Sequence, residues 1–189
     1  MRRFVGTSKG IYSKYKMDNL YLIGMMGSGK SVTGKKLAAL LKWSFVDLDD
    51  VLQKEEKKTI AQIFESQGED YFRNHETEML NRISLGDRQV IATGGGIILR
   101  EENNQQMLLT GTVIYLETSF EMLWQRVRGR DERPLLKTAD PKGTLKGIFE
   151  KRKAIYERIA QKSVNTDDQT AEMVAEKIMA VLNCSGEKP

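Results

Sequence analysis

Hydrophobic and polar positions along this chain switch repeatedly between a strand pattern and a helix pattern. Leu20-Tyr21-Leu22-Ile23 is a short apolar run closed by Gly24, which predicts a buried parallel strand. A glycine-rich turn follows, and from Lys35 to Lys42 leucines and alanines recur at helical spacing. Phe45-Val46 predicts a second strand, ending in Asp47-Leu48-Asp49-Asp50. Thr59 is placed as the N-cap of a short helix through Phe64, which Gly68 closes. Phe72, Glu76, Met79, Leu80 and Ile83 then share one helical stripe. Val90-Ile91-Ala92 predicts a third strand, ending in Thr93-Gly94-Gly95-Gly96, and Val113 to Leu116 a fourth. A helix through Trp124 and Val127 leads into a polar stretch, 128–143, with charges of both signs, two prolines and two glycines. That composition and length predict a mobile loop. Leu145 to Ile159 predicts an amphipathic helix, Val164 marks a short fifth strand, and Ala171 to Leu182 predicts a last helix.

Strands alternating with helices imply an α/β domain whose parallel sheet is covered on both faces. Ligands of such sheets bind at the carboxyl ends of the strands. The glycine turn, the aspartate cluster and the triple glycine all sit at such ends, so they are expected to converge.

Composition changes this picture little. The 189 residues suit one compact domain, read here as 18–184, with residues 1–17 as a basic flexible leader and 185–189 as a flexible tail. The pI near 9.1 invites a nucleic-acid partner, but its source is local. Residues 1–17 hold five bases (Arg2, Arg3, Lys9, Lys14, Lys16) and no acid, and the remainder holds 25 bases against 26 acids. A basic binding face is therefore not implied. The leader lacks the apolar core of a secretory signal. It is acid-free with arginine and serine, which fits an organelle-targeting segment, but the plainer reading is a frayed lead-in to a domain starting near Met17. No apolar run reaches the roughly 18 residues that span a bilayer. The single cysteine, Cys184, fits a reducing, cytoplasmic setting. The expected state is a monomer without nucleic-acid or membrane partners.

Gly24-Met25-Met26-Gly27-Ser28-Gly29-Lys30-Ser31 matches the phosphate-binding pattern G-x-x-x-x-G-K-[ST], with a strand before it and a helix after it. Backbone N–H groups of such a loop and the following helix N-terminus cradle phosphate oxygens. Lys30 can reach the β and γ phosphates, and the Ser31 hydroxyl is placed for Mg²⁺. No guanine-selecting N-K-x-D occurs, which argues against a GTPase. The short chain and the arginine-rich late loop favour a kinase for a small molecule.

Asp47 and Asp49 are two residues apart. If the chain stays extended past Val46 they point to one side, one toward Mg²⁺ and the other toward an acceptor hydroxyl. In the alternative, one of them is an ordinary helix N-cap. Leu145, Ile148, Phe149, Ile155, Tyr156 and Ile159 define an apolar stripe with Arg152 in its middle. A guanidinium there needs an anion, either a ligand or a structural partner. Arg73 and Glu76 can pair at i, i+3, which would leave other donors of Arg73 free for a ligand carboxylate. Gly94, Gly95 and Gly96 allow close backbone approach. His75, off the stripe, is read as a surface residue. The residues themselves thus predict an anionic, hydroxyl-bearing acceptor.

The ordered set resembles the shikimate kinase family. It comprises the phosphate loop at 24–31, the D-x-D of Asp47 and Asp49, the F-R-x-x-E of Phe72 to Glu76, the triple glycine, the R-P-L-L of Arg133 to Leu136 and the K-R-x-x-x-Y of Lys151 to Tyr156. The resemblance covers about residues 19–182. It implies a three-layer P-loop fold of the nucleoside-monophosphate-kinase type, with a five-stranded parallel sheet in the order 2-3-1-4-5. An acceptor-binding segment would lie at about 48–85 and a mobile lid at about 128–143. It implies ATP- and Mg²⁺-dependent phosphorylation of the 3-hydroxyl of shikimate, giving shikimate 3-phosphate and ADP on the route to chorismate and aromatic amino acids. By resemblance Gly27, Ser28, Gly29, Lys30, Ser31, Val32, Arg126, Arg133 and Gln169 would bind ATP. Asp49, Arg73, Gly94, Gly95, Gly96 and Arg152 would bind shikimate, and Ser31 and Asp47 would serve Mg²⁺. Lys30, Asp49 and Arg133 would be catalytic. A gluconate-type or nucleotide kinase is the alternative; the few aromatic residues near the acceptor motifs, Tyr71 and Phe72, speak against a nucleotide acceptor.

Overall fold

A computed structural model of the chain describes residues 19–129, 134–136 and 138–183. Five strands, β1 (Asn19–Ile23), β2 (Ser44–Asp47), β3 (Gln89–Ala92), β4 (Gly111–Glu117) and β5 (Lys162–Asn165), form one sheet in the order β2-β3-β1-β4-β5. Every pairing is parallel; Leu22 lies opposite Ala92 on one side and Ile114 on the other. Among the described residues seven α-helices connect or follow them: α1 (Lys30–Leu41), α2 (Leu48–Glu56), α3 (Ile60–Ile83), α4 (Glu101–Thr110), α5 (Phe120–Val127), α6 (Pro141–Ile159) and α7 (Ala171–Asn183).

Strand alternation divides the core into two layers. Leu20, Leu22, Val90, Ile114 and Leu116 face α1 and α7, where Leu37, Val174 and Ile178 close on them. Tyr21, Ile23, Ile91, Val113 and Tyr115 face the opposite layer, packed by α2, α3, α5 and α6 through Leu52, Met79, Leu123 and Tyr156. All strands run the same way, so the turns after Ile23, Asp47, Ala92 and Asn165 emerge at one edge of the sheet. The functional motifs gather at that edge.

Local chemistry explains the helix ends. Thr59 caps α3 through a reciprocal box, its hydroxyl accepting from the Gln62 N–H at 3.2 Å and its own N–H donating to Gln62 Oε1 at 2.8 Å. Gly68 then breaks α3 into two segments at φ 84° and ψ 173°, a region glycine alone enters without strain. The predicted closing of the first helix at Gly68 therefore holds.

Other boundaries differ from the sequence pattern. α1 starts at Lys30 rather than Lys35, because the glycine loop ends in left-handed Gly29 at its N-cap. α4 has no counterpart in the sequence pattern, and α2 bears out the alternative in which an aspartate of the cluster, Asp47, is a helix N-cap. α6 begins at Pro141, capped by the Asp140 carboxylate on the Gly143 N–H at 2.9 Å, so part of the predicted loop is helix. Of the predicted lid, residues 130–133 and 137 lie outside the described residues, as do residues 1–18, which include the predicted leader 1–17, and 184–189, which include the predicted tail 185–189.

Candidate active site

The phosphate loop leaves β1 at Gly24, whose φ of 146° and crowded surroundings admit no side chain: a Cβ there would stand 2.9 Å from both the Leu116 carbonyl oxygen and Ser28 Oγ. The loop closes through the Ser28 N–H on the Met25 carbonyl at 3.1 Å. Lys30 Nζ curls back over it and donates to the Gly24 and Met25 carbonyls at 2.7 and 2.9 Å. An ammonium held at the loop mouth by two carbonyls is a strong anion partner once phosphate oxygens replace them.

Asp47 does two things at once. Its Oδ2 accepts from Ser31 Oγ at 2.5 Å, and its Oδ1 accepts from the Asp49 N–H at 3.1 Å as the N-cap of α2. The chain therefore does not stay extended beyond Asp47, which overturns the predicted strand-like placement of the two carboxylates. Asp49 enters the site from the first turn of a helix instead, and its neighbourhood in space with Asp47 survives by a different route.

These groups line a cavity of about 420 Å³ that also reaches Val32, Arg126 and Gln169. Arg126 spans it: NH1 donates to the Gly27 carbonyl at 3.3 Å and NH2 to the Thr166 carbonyl at 2.8 Å. The arginine thus ties the phosphate loop to the turn after β5. Gln169 Oε1 and Ser28 Oγ are buried without a hydrogen-bond partner among the described residues.

A second cavity, of about 80 Å³, adjoins the first and shares Asp49 and Gly95 with it. Arg73, Glu76, Arg152 and the Gly94–Gly96 turn form its polar wall, and Phe64 and Phe72 line it as well. The two phenyl rings lie 4.8 Å apart. Arg73 and Arg152 are only 8% and 7% exposed, so both cations are largely removed from water. Arg73 NH1 donates to Glu76 Oε2 at 2.7 Å. Its Nε and NH2 also meet Glu69 Oε1, at 3.3 and 3.0 Å. Burial alone would lower the Arg73 pKa, but these two carboxylates more than offset it and hold the guanidinium charged. Burial drives the Glu76 carboxyl up to about 7 against the opposing pull of Arg73 and Arg152. Arg152 NH1 donates to the Gly95 carbonyl at 3.1 Å.

Glycine is required in this turn for space. A Cβ on Gly96 would collide with the Arg73 guanidinium, and one on Gly94 with the Glu76 carboxylate.

Two adjacent cavities, one built on a phosphate loop and the other on paired buried arginines, match the expected kinase arrangement. A family model of shikimate kinases matches residues 26–183. The shikimate kinase of Persephonella marina is 43% identical over 163 residues, which is 86% of this chain and 98% of that protein. The chain belongs to the shikimate kinase family. Among solved structures, the Acinetobacter baumannii shikimate kinase in complex with shikimate superposes with a TM-score of 0.88 at 35% identity, covering 91% of this chain and 96% of that one. The Aquifex aeolicus shikimate kinase gives a TM-score of 0.79 at 39% identity, over 88% and 97% of the two chains. The enzyme is thus a kinase that uses ATP to phosphorylate shikimate, and the gluconate-type and nucleotide-kinase alternatives are not favoured.

The structure brings together every predicted shikimate kinase site residue among those described; Arg133 lies outside them. Two local expectations change. Arg73 has fewer uncommitted donors than its spacing to Glu76 suggests, because Glu69 engages it from the preceding turn; the i, i+4 spacing of Glu69 and Arg73 was the available signal. His75 is half-buried rather than a plain surface residue, with Nε2 3.1 Å from Glu56 Oε1 and its ring 4.4 Å from that of Tyr71. Phe64 also walls the second cavity; it lies inside the expected acceptor-binding segment, but its place in the short helix after Thr59 carries no sign of that role.

Proposed function

We propose that the larger cavity holds ATP and the smaller one shikimate, and that the γ-phosphoryl group passes between them where Asp49 and Gly95 border both. The observation that carries this reading is the sharing of those two residues by two chemically distinct cavities.

Gly27, Ser28, Gly29, Lys30, Ser31 and Val32 receive the phosphates of ATP. Arg126 and Gln169 face its base, and the buried Gln169 Oε1 suits a donor on the base edge. Arg73 and Arg152 take the shikimate carboxylate, since planar guanidinium groups pair with carboxylate through two parallel hydrogen bonds. Asp49 and the Gly94–Gly96 backbone take its hydroxyls. Asp49 orients the 3-hydroxyl and accepts its proton as the new P–O bond forms and the bond from phosphorus to the leaving ADP oxygen breaks.

The donor set of Ser31 and Asp47 fits a Mg²⁺ ion: a hydroxyl and a carboxylate oxygen, hydrogen-bonded to each other beside the phosphate loop, are hard oxygens that the ion would take in place of that bond. Such ions commonly rest on one or two protein oxygens together with substrate phosphates. Bound there, Mg²⁺ supplies charge neutralisation on the phosphates. In this reading the enzyme works as a cytoplasmic monomer. No helix among the described residues is long and apolar enough to cross a membrane.

A coupled ADP-release assay tests the assignment, with shikimate, gluconate and nucleoside monophosphates as acceptors. Stimulation by shikimate alone is the expected result. Equal stimulation by another acceptor, or none by shikimate, contradicts it.

A further inference from the structure

The Tyr156 side chain is fully buried on α6, yet its hydroxyl has a definite polar task. It donates to the Gly95 carbonyl at 2.5 Å, and its oxygen lies 3.8 Å from Met25 Sδ in the phosphate loop. Its ring stacks on Tyr115 of β4, with centroids 5.2 Å apart and planes inclined by 12°. One helical turn earlier, Arg152 NH1 donates to the same Gly95 carbonyl at 3.1 Å. One backbone oxygen therefore accepts from two side chains of a single helix.

Gly95 borders both cavities. A Cβ placed on it would stand 3.4 Å from the Gly24 carbonyl oxygen and 3.4 Å from the Met26 nitrogen. It touches the phosphate loop on one side and borders the acceptor cavity on the other. Three consecutive glycines have wide conformational freedom and no side chains of their own to fix them. Pinning the Gly95 carbonyl fixes that peptide plane, and with it the Gly96 N–H on the opposite edge, because the unit is planar and trans. Burial pushes the Tyr156 hydroxyl above its ordinary pKa range, so it remains a donor at any working pH.

We propose that Tyr156 is a positioning residue for the acceptor: its hydroxyl, together with Arg152, locks the Gly95 peptide between the two cavities, so that the glycine-turn amides and the Arg152 guanidinium meet shikimate in one fixed arrangement. The phenol itself touches neither substrate. It acts through the carbonyl it holds and through the arginine that shares that carbonyl. The stack on Tyr115 and the contact with Met25 fix the ring, so the hydroxyl can serve as a rigid post for the Gly95 peptide.

This inference rests on the acceptor assignment of the smaller cavity. Tyr156→Phe removes one oxygen and keeps the ring stack. Its shikimate KM is expected to rise at least fivefold while its ATP KM stays within twofold of wild type. Tyr115→Phe keeps the same stack, has no part in holding Gly95, and is expected to retain both constants. An unchanged shikimate KM in Tyr156→Phe overturns the proposal, and so does a parallel rise in both KM values, which marks a general structural defect. Amide NMR of the wild-type protein supplies a reading that needs no variant. A locked turn gives single sharp Gly95 and Gly96 resonances before shikimate is added, which then move on titration; resonances broadened by exchange in the free protein overturn the lock. A wild-type protein that fails to bind shikimate overturns the acceptor assignment itself, whereas normal binding with an unchanged Tyr156→Phe overturns the inference alone.

Discussion

Glu76 accepts from Arg73 through one oxygen, Oε2, and leaves the other, Oε1, buried without a hydrogen-bond partner among the described residues. The carboxylate that anchors Arg73 is thus only half satisfied. Burial accordingly raises its pKa from 4.5 to about 7, with Arg73 opposing and Asp49 adding to the rise.

A pH dependence of stability follows. A carboxyl with a raised native pKa holds a proton that the unfolded chain has already released. Its contribution is fully present below about 4.5 and is lost as pH rises through about 7. At about 1.4 kcal/mol per pKa unit the full change is roughly 3 kcal/mol. Urea unfolding of wild type and Glu76→Gln from pH 5 to 8 is expected to show a falling component that only the wild type possesses. Parallel curves would contradict the buried, proton-binding carboxyl.

Asp47 separates two roles that one substitution can pull apart. Asparagine caps helices about as well as aspartate, so Asp47→Asn keeps an acceptor for the Asp49 N–H and is expected to cost less than about 1 kcal/mol in stability. It removes the negative charge beside Ser31. Turnover is expected to fall at least tenfold, with the Mg²⁺ concentration for half-maximal rate shifted upward. A titration with Mg²⁺ that superposes on the wild-type curve would remove Asp47 from the metal site.

Gly96→Ala places a methyl group on the Arg73 guanidinium, which Glu69 and Glu76 hold in place. Overpacking of this kind typically costs about 1–3 kcal/mol. Here the clash displaces the cation proposed to hold the shikimate carboxylate, so a shikimate KM raised more than tenfold is expected, with little change in the ATP KM. Steady-state kinetics with each substrate varied in turn checks this.

The sequence pattern reached some elements and missed others for identifiable reasons. β1, β3 and β4 read clearly because strands buried on both faces are nearly unbroken apolar runs. α4 escaped notice because its inward face carries Asn103 and Asn104, whose side-chain amides donate to the carbonyls of Ile97 and Ile98 at 3.1 and 3.0 Å. Those partners are backbone carbonyls six residues earlier in the chain, and polar residues on the inward face leave no periodic apolar signal. α2 was hidden by its run of acids, of which Asp47 turned out to be the cap. Arg152 was legible because a cation interrupts an apolar stripe. Its partner was not, since a backbone carbonyl such as that of Gly95 has no mark in the sequence. Tyr156 read as one more apolar position on the same stripe and as the end of the K-R-x-x-x-Y motif, with no role for its hydroxyl; that role follows from the packing of α6 against the glycine turn.

In the proposed assignment the smaller cavity is the shikimate site and Arg152 is a direct partner of the carboxylate. The shikimate KM of Arg152→Ala, measured at saturating ATP, tests this most directly. A hydrogen bond to a charged group contributes about 1.5–3 kcal/mol, so a rise of roughly 10- to 100-fold is expected. A shikimate KM equal to that of the wild type would contradict the account and leave Arg152 as a strut for the Gly95 carbonyl.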